Sequence, residues 1–292
     1  MSLKRKRGID EILDSRMITV VVGKGDSKRE YGVHEGALAH LSGPLEALLT
    51  GGTQEALEGK IIWDDVEPAT YRLLSHYAYQ GSYPIPYPGN TSDIEYDLIE
   101  GGDAREETVH YESLRTWIES MSLENNNEHL AVFNFCKKHF CKYGVRKLPS
   151  PSRDHLVQGE ESEGQNSEIT VTLDDLLKPS ELYILADRYF IEDLKELCVN
   201  DVDRKLCNAA GDTMLIGHIC SVLRFLHAQT LPKDKLRKLF LRYLVADMVF
   251  TMKNGVEELI RDFADYAVEL LLEIPHTYWE ELQGRASESP DA

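Results

Sequence analysis

Residues 31–42 read Tyr-Gly-Val-His-Glu-Gly-Ala-Leu-Ala-His-Leu-Ser, and the period of the apolar side chains changes within them. Up to Val33 the stretch predicts the second strand of a hairpin, whose first strand is the β-branched run 17–22. Beyond that point the apolar side chains recur at helical spacing, at Ala37, Leu38 and Leu41. A hairpin that leads directly into a helix predicts a fold of the α+β class.

The residues that follow predict the rest of this unit. Ser42 is a cap for a helix that starts at Gly43-Pro44, because its hydroxyl can accept a free backbone N–H. Residues 61–63 predict a third strand. Glu67-Pro68 then opens a helix that Gly81 ends. The order strand, strand, helix, helix, strand, helix predicts one compact α+β unit.

Two later stretches complete the pattern. Residues 77–84 read Tyr-Ala-Tyr-Gln-Gly-Ser-Tyr-Pro, and residues 182–195 read Leu-Tyr-Ile-Leu-Ala-Asp-Arg-Tyr-Phe-Ile-Glu-Asp-Leu-Lys. In this order the three stretches resemble the BTB/POZ fold, a three-stranded sheet with surrounding helices. The resemblance covers about 17–83 and 173–206, roughly a third of the chain. The insertion between these parts, together with the helices after them, resembles the version abundant in fungi.

This resemblance and the composition divide the chain into five parts. They are an N-terminal tail with a basic cluster (1–16), a split BTB-like domain (17–84 and 173–206), an acidic then basic, partly disordered insertion (85–172), a helical extension (207–282) and a tail (283–292). Alternation at Ile169, Val171 and Leu173 predicts a short strand, and Lys178-Pro179-Ser180 is expected to open a helix. We expect one core to contain Leu38, Leu48, Leu74, Leu185 and Tyr189.

Composition narrows the class of protein. With 32 basic and 50 acidic side chains the net charge is −18, which opposes general binding to nucleic acid. We expect no membrane span and no signal peptide, since no apolar run is long enough for either. The five cysteines are widely spaced and odd in number, which favours reduced thiols in the nucleus or the cytoplasm.

The sequence offers no catalytic constellation and no cofactor motif, so a non-enzymatic protein is expected. We assign His34 a structural role at the strand-to-helix corner, where its ring can bond nearby backbone. Asp64-Asp65 is read as a solvated loop or a helix cap. Cys136-x-x-His139-x-Cys141 has zinc-ligand chemistry, but on a helix Cys141 points about 140° away from Cys136, and no fourth ligand follows. Packed cysteines and a surface histidine are the preferred interpretation.

The resemblance implies a non-catalytic module that binds other proteins, with a homodimer as one open arrangement. It implies five partner-binding residues, which are Thr53, Gln54, Glu55, Tyr79 and Leu194. An alternative is a substrate adaptor for a cullin ubiquitin ligase. Family members of that kind carry an apolar-x-Glu motif, and Thr53 stands at the apolar position, so we expect cullin binding to be weak or absent. The family also has Asp before its first strand, where this chain has Ser15-Arg16.

An alternative of another class is a nuclear regulator associated with chromatin or nucleic acid. Lys4, Arg5, Lys6 and Arg7 form a basic cluster typical of a nuclear import signal, although a solvated chain end explains it nearly as well. Residues 137–147 mix cations with aromatics, as nucleic-acid sites do. The acidic segment 91–128 lies directly before them, so charge pairing within the chain or a solvated helix face is the preferred explanation.

Overall fold

A computed structural model describes residues 8–84, 130–140, 170–209 and 211–278. The protein is α+β and mostly helical, with a small three-stranded mixed sheet. Within these ranges, no helix combines the length and the apolar character needed to cross a bilayer. Two compact units are distinguished. The first contains 8–84, Asp174–Val202 and Phe225–Thr230, and the second contains the other described residues.

The sheet belongs to the first unit and confirms the three predicted strands. They are β1 (Met17–Val22), β2 (Arg29–His34) and β3 (Lys60–Trp63), arranged in the order β2-β1-β3. Strand β1 pairs antiparallel with β2 and parallel with β3. Its last three valines are all buried, as expected for the central strand of a sheet.

Helices make up the rest of the described fold. In chain order they are α1 (Ile9–Leu13), α2 (Glu35–Ala39), α3 (Gly43–Thr50), α4 (Gln54–Glu58), α5 (Pro68–Gln80), α6 (Leu130–Phe140), α7 (Leu173–Arg188), α8 (Glu192–Asn208), α9 (Thr213–Gln229), α10 (Lys235–Ala246), α11 (Met248–Thr251), α12 (Glu257–Asp262) and α13 (Asp265–Glu273). The predicted ends of α3 and α5 are confirmed. Ser42 Oγ accepts the Leu45 N–H at 3.3 Å, and Gly81 ends α5 with a positive φ of 69°.

Helix α7 packs in the same unit as the sheet, although a long stretch of chain separates them. The Tyr189 ring, just after α7, lies 5.2 Å from the Trp63 ring of β3. Thr70 of α5 donates a hydrogen bond to Glu181 at 2.5 Å. Of the five side chains expected in one core, three are fully buried, while Leu48 and Tyr189 are half-buried.

The start of α7 differs from the prediction. Residues 170–172 form no strand, and the helix begins at Leu173, so Pro179 lies inside it instead of at its start. A proline at that position removes one backbone hydrogen bond. Burial of Leu176 and Leu182 on one face compensates for this loss, and the Ser180 hydroxyl donates to the Leu176 carbonyl at 2.7 Å. Packing therefore overrides the local preference of proline for a first turn.

The second unit confirms that the C-terminal extension is helical, but it divides the last predicted helix. The segment expected to run from Val256 to Leu271 consists of α12 and α13, which Phe263 separates with φ −134° and ψ 85°. A π-helical turn, Met252–Val256, precedes α12, and Gly255 within it has a φ of 122°. Side chains other than glycine rarely adopt that conformation, so the chain changes direction at this residue.

Helices α10 and α13 share a buried polar contact. Arg237 of α10 forms an ion pair with Glu269 of α13, and both side chains are buried. The guanidinium also lies 4.7 Å from the centre of the Tyr266 ring, as in a cation–π contact. One turn further along both helices, Arg242 Nε donates to Glu273 at 2.7 Å. The inner face of α13 therefore carries two carboxylates, each held by an arginine.

Candidate interaction surface

Three of the sequence-predicted site residues lie on or next to α4, a helix that the sequence did not predict. Thr53 caps it, since its Oγ1 accepts the Ala56 N–H at 3.2 Å and donates to the Leu48 carbonyl at 3.0 Å. Gln54 is exposed and donates to Glu58 at 2.6 Å. Glu55 is half-buried. A threonine at this position is thus explained by helix capping.

The residue of α4 that the sequence analysis missed is Leu57, whose side chain is 79% exposed. It projects from a short helix whose other exposed side chains, Gln54 and Glu58, are polar, and it is the most exposed large apolar side chain described in the first unit. Testing the 53–58 stretch for helical spacing could have predicted the helix, but the exposure of Leu57 depends on whether a neighbouring element covers it. We call Gln54, Glu55, Leu57 and Glu58 the α4 surface.

Arg16 holds the α4 surface in place. Its terminal Nη2 donates to the carbonyls of Leu49 and Ala56, at 3.1 and 2.7 Å, so that it connects the ends of α3 and α4. Its Nε pairs with Glu35 of α2. A guanidinium suits this task because its fixed fork of donors can reach several acceptors at once. Arg16 is therefore a clamp for three helices, α2, α3 and α4.

Ser15 caps α2 from a distance. Its hydroxyl accepts the Gly36 N–H at 2.8 Å and donates to the Ile12 carbonyl of α1 at 2.7 Å. His34, the residue just before α2, supplies no side-chain cap. The close contact also explains the glycine, because a Cβ on Gly36 would lie 2.9 Å from Ser15 Oγ. Ser15 thus fixes the start of α2 against α1.

Tyr79 joins α5 to the strand-to-helix corner. Its hydroxyl accepts the His34 backbone N–H at 3.0 Å and lies 2.9 Å from the His34 Nδ1. A hydroxyl that accepts from the N–H can donate its own hydrogen to Nδ1, and the ring hydrogen then sits on Nε2. The histidine is structural as expected, but its ring contacts a distant side chain instead of nearby backbone. Tyr79 is half-buried and serves this corner.

Leu194 requires a correction. The side chain is completely buried, so it offers no surface to a partner. Its position on the inner face of α8 follows from the helical period that it shares with Cys198, which is also buried. The neighbouring Lys195 is itself largely covered, since it pairs with Asp187 at 2.6 Å and lies 5.4 Å from the centre of the Tyr183 ring.

The role of Asp65 also differs from the prediction, which placed it in a solvated loop or at a helix cap. It forms an ion pair with Arg188 at the end of α7. The hydrogen bond from the guanidinium lowers the pKa of the Asp65 carboxyl below its usual value. Within the same unit, burial raises the pKa of Tyr77 to about 12. Both effects are those of packing and pairing, and neither creates a reactive group at neutral pH.

Helix α6 contains the first part of the basic stretch 137–147 and two of the residues considered as zinc ligands, Cys136 and His139. Lys137 and Lys138 are exposed, and the Lys137 ammonium lies 5.6 Å from the Phe133 ring centre. Cys136 is fully buried, and the His139 ring packs 4.7 Å from that of Phe135. Across the described ranges, no group of three or more His, Cys, Asp or Glu side chains is placed to hold a metal ion.

Several features that the sequence predicts lie outside the described residues. They are the basic cluster Lys4, Arg5, Lys6 and Arg7, the acidic segment 91–128, Cys141 and residues 141–147. The candidate site among the described residues is therefore the α4 surface, which Thr53 and Arg16 hold in place. No protein-family model matches the chain, and no curated protein matches it either.

Proposed function

We propose that this protein is a non-catalytic interaction module of the BTB/POZ type that binds other proteins through the α4 surface. The observation that carries the proposal is an exposed leucine on a helix held at several points. Leu57 projects to solvent, while Thr53 and Arg16 fix the two ends of α4. An apolar side chain held rigidly among polar ones matches the general pattern of a protein interface, which has an apolar centre and a polar rim.

The fold type is supported by the way the first unit is built. A three-stranded sheet with the order β2-β1-β3 carries the helical hairpin α2–α3 beside it, and α7 packs in the same unit despite the long insertion. The resemblance implies one domain from 17–84 and 173–206, and the first unit contains 17–84 with Asp174–Val202 of the second part. The function is argued from the surface, since a fold by itself does not determine what a protein binds.

Affinity purification of the full chain, followed by mass spectrometry, tests the proposal. Leu57→Asp should remove the partners that the unmodified chain captures, because it places a charge at the centre of the surface. Leu13→Asp is the matched control, since Leu13 is an exposed leucine on another helix of the same unit. Partners that remain with Leu57→Asp, or that Leu13→Asp removes equally well, would overturn the assignment to the α4 surface.

The second candidate is a cullin adaptor. The observation that favours it is that an exposed leucine, Leu57, and an acidic residue, Glu55, lie two positions apart on the same short helix. Leu57 offers apolar bulk that Thr53 does not. Calorimetry with a cullin amino-terminal domain would decide, and we expect weak or absent binding. Submicromolar affinity that is lost in Leu57→Asp would move the adaptor to first place. Thr53→Met is a poor probe, because it also removes the α4 cap, worth about 1 kcal/mol.

A further inference from the structure

Helix α13 presents three large apolar side chains to solvent, although its buried face already contains Tyr266 and Leu270. Val268, Leu271 and Leu272 are 59%, 56% and 65% exposed. We call these three residues the α13 stripe. Glu269 and Glu273 face the rest of the second unit, next to the buried Tyr266 and Leu270. Large apolar side chains therefore lie on both faces of α13, whereas on the usual amphipathic surface helix they face inward only.

The arginines of α10 explain why the helix keeps this orientation. Turning α13 by half a turn would bury the stripe, but it would expose Tyr266 and Leu270 and leave Arg237 without Glu269 in an almost completely buried position. A buried charge that loses its partner is strongly unfavourable. The Tyr266 hydroxyl, which donates to the Leu223 carbonyl at 2.5 Å, adds a further constraint. The stripe is therefore fixed outward by the polar contacts beneath it.

The spacing and the charges of the stripe fit a second copy of the same helix. Its residues are three and four positions apart, so two antiparallel copies can place Val268 of each opposite Leu272 of the other. Asp265 is exposed at the N-terminal end of α13. Near the C-terminal end, exposed Lys138 lines a cavity of about 400 Å³ together with Leu272 and Pro275. An antiparallel arrangement brings the acidic end of each copy toward the basic end of the other.

We propose that the protein associates with itself through an isologous, antiparallel contact between two α13 helices. This interface belongs to the second unit and does not depend on the α4 surface or on the proposed function. Leu231 is also exposed, and it lies two residues before Lys233, whose N–H donates to Glu269 at 3.2 Å. It can extend the apolar area along the side of the helix.

The size of the stripe sets the expected strength. Stable dimers bury about 800 Å² on each partner, whereas a patch of a few side chains provides a few hundred. The association should therefore be weak, with a dissociation constant on the order of 10 μM. Each copy carries a net charge of −18, so long-range repulsion opposes pairing. Added salt screens this repulsion, and the dimer should persist or strengthen at about 0.5 M salt.

Sedimentation equilibrium of the full chain tests the proposal over concentrations from about 1 to 200 μM, a range that brackets the expected constant. Leu271→Asp combined with Leu272→Asp should weaken association at least roughly thirtyfold. Met214→Asp is the matched control, because Met214 is a similarly exposed apolar residue of the same unit, and this change should have no effect. Circular dichroism melting of each variant verifies that the fold is kept.

A charge exchange tests the antiparallel register. Lys138→Glu or Asp265→Lys alone should weaken the dimer about threefold, and the two changes together should restore it. A monomer at every concentration, or a dimer that the stripe variant does not affect, would overturn the proposal. Loss of the dimer at high salt would also overturn it. A monomer in which deletion of 279–292 increases hydrogen exchange at the α13 stripe would overturn it as well, because the deleted segment, and not a second copy, would then cover the stripe.

Discussion

Tyr71 allows a sharp test of how the first unit is stabilised. Its side chain is 1% exposed, and its hydroxyl is buried with no hydrogen-bond partner among the described residues. The ring packs between Tyr31, at a centroid distance of 4.9 Å, and Trp63, at 6.1 Å. Burial raises the pKa of Tyr71 above its ordinary value. Tyr71→Phe removes the hydroxyl and keeps the ring.

The expected effect follows from the cost of an unpaired polar group. A buried hydroxyl that has lost its water without gaining a partner costs about 1–3 kcal/mol. Phenylalanine removes that cost, but it leaves a gap of one atom and loses the contacts of the oxygen. We therefore expect Tyr71→Phe to raise the free energy of unfolding by about 1 kcal/mol. For a chain of this size such a gain raises the melting temperature by about 2–4 °C.

Tyr266→Phe is the matched comparison. Tyr266 is equally buried, but its hydroxyl donates to the Leu223 carbonyl at 2.5 Å. Removing that hydroxyl leaves a buried carbonyl without this donor, and it should lower stability by about 1–2 kcal/mol. Urea unfolding followed by both fluorescence and circular dichroism measures the two variants and detects separate transitions of the two units.

The essential result is that the two substitutions change the free energy of unfolding in opposite directions. If Tyr71→Phe lowers stability as much as Tyr266→Phe does, the Tyr71 hydroxyl is hydrogen-bonded in solution. The account of an unsatisfied group would then be refuted. If Tyr71→Phe leaves the free energy of unfolding unchanged, the gain from removing the unpaired hydroxyl is about equal to the loss from the one-atom gap.

Three other substitutions test separate features. Leu185→Ala should lower the free energy of unfolding by about 2–5 kcal/mol, because Leu185 is buried, and a change below about 0.5 kcal/mol in urea would mean that α7 does not pack there. Asp65→Asn should destabilise the protein at neutral pH. The difference should vanish as pH falls through the folded pKa, which pairing with Arg188 holds below 3.8, so equal differences at all pH values would contradict the pair. Phe190 has a φ of 55°, so Phe190→Gly should stabilise the chain by about 0.5–1 kcal/mol in thermal melts, whereas a loss would show that the exposed ring makes contacts.

The sequence predicted those elements whose signals are local. The run 17–22 is a strand because its β-branched side chains favour extended backbone. Helix α3 begins at Gly43 because the preceding Ser42 accepts a backbone N–H three residues ahead. Gly81 ends α5 because glycine adopts a positive φ at little cost. Each of these outcomes depends on atoms within about four residues of one another.

Predictions were wrong where distant packing outweighed a local preference. Pro179 favours a first turn, but the buried face of α7 continues through it, from Leu173 onward. The apolar period from Val256 to Leu271 suggests one helix, but the chain breaks at Phe263. Periodicity indicates which residues can share a face, and it does not show whether the backbone stays straight between them.

The candidate surfaces show the same division. The sequence located Thr53, Gln54 and Glu55 by resemblance, but the exposure of Leu57 and the burial of Leu194 appear only in the folded chain. Both are leucines on helices, and composition cannot distinguish them. What decides is whether a neighbouring element covers the side chain.

The sequence by itself determined the α+β class, the three strands, the ends of α3 and α5 and the net charge of −18, which follow from local hydrogen bonding, side-chain preference or composition. The tertiary structure alone decided the sheet order, the clamp of Arg16 on α3 and α4, and the outward face of α13. In α13 the helical period permits either orientation. The inner face carries Glu269 as the partner of Arg237, which is buried in α10, together with Tyr266 and Leu270, and Leu271 and Leu272 are left exposed as a consequence.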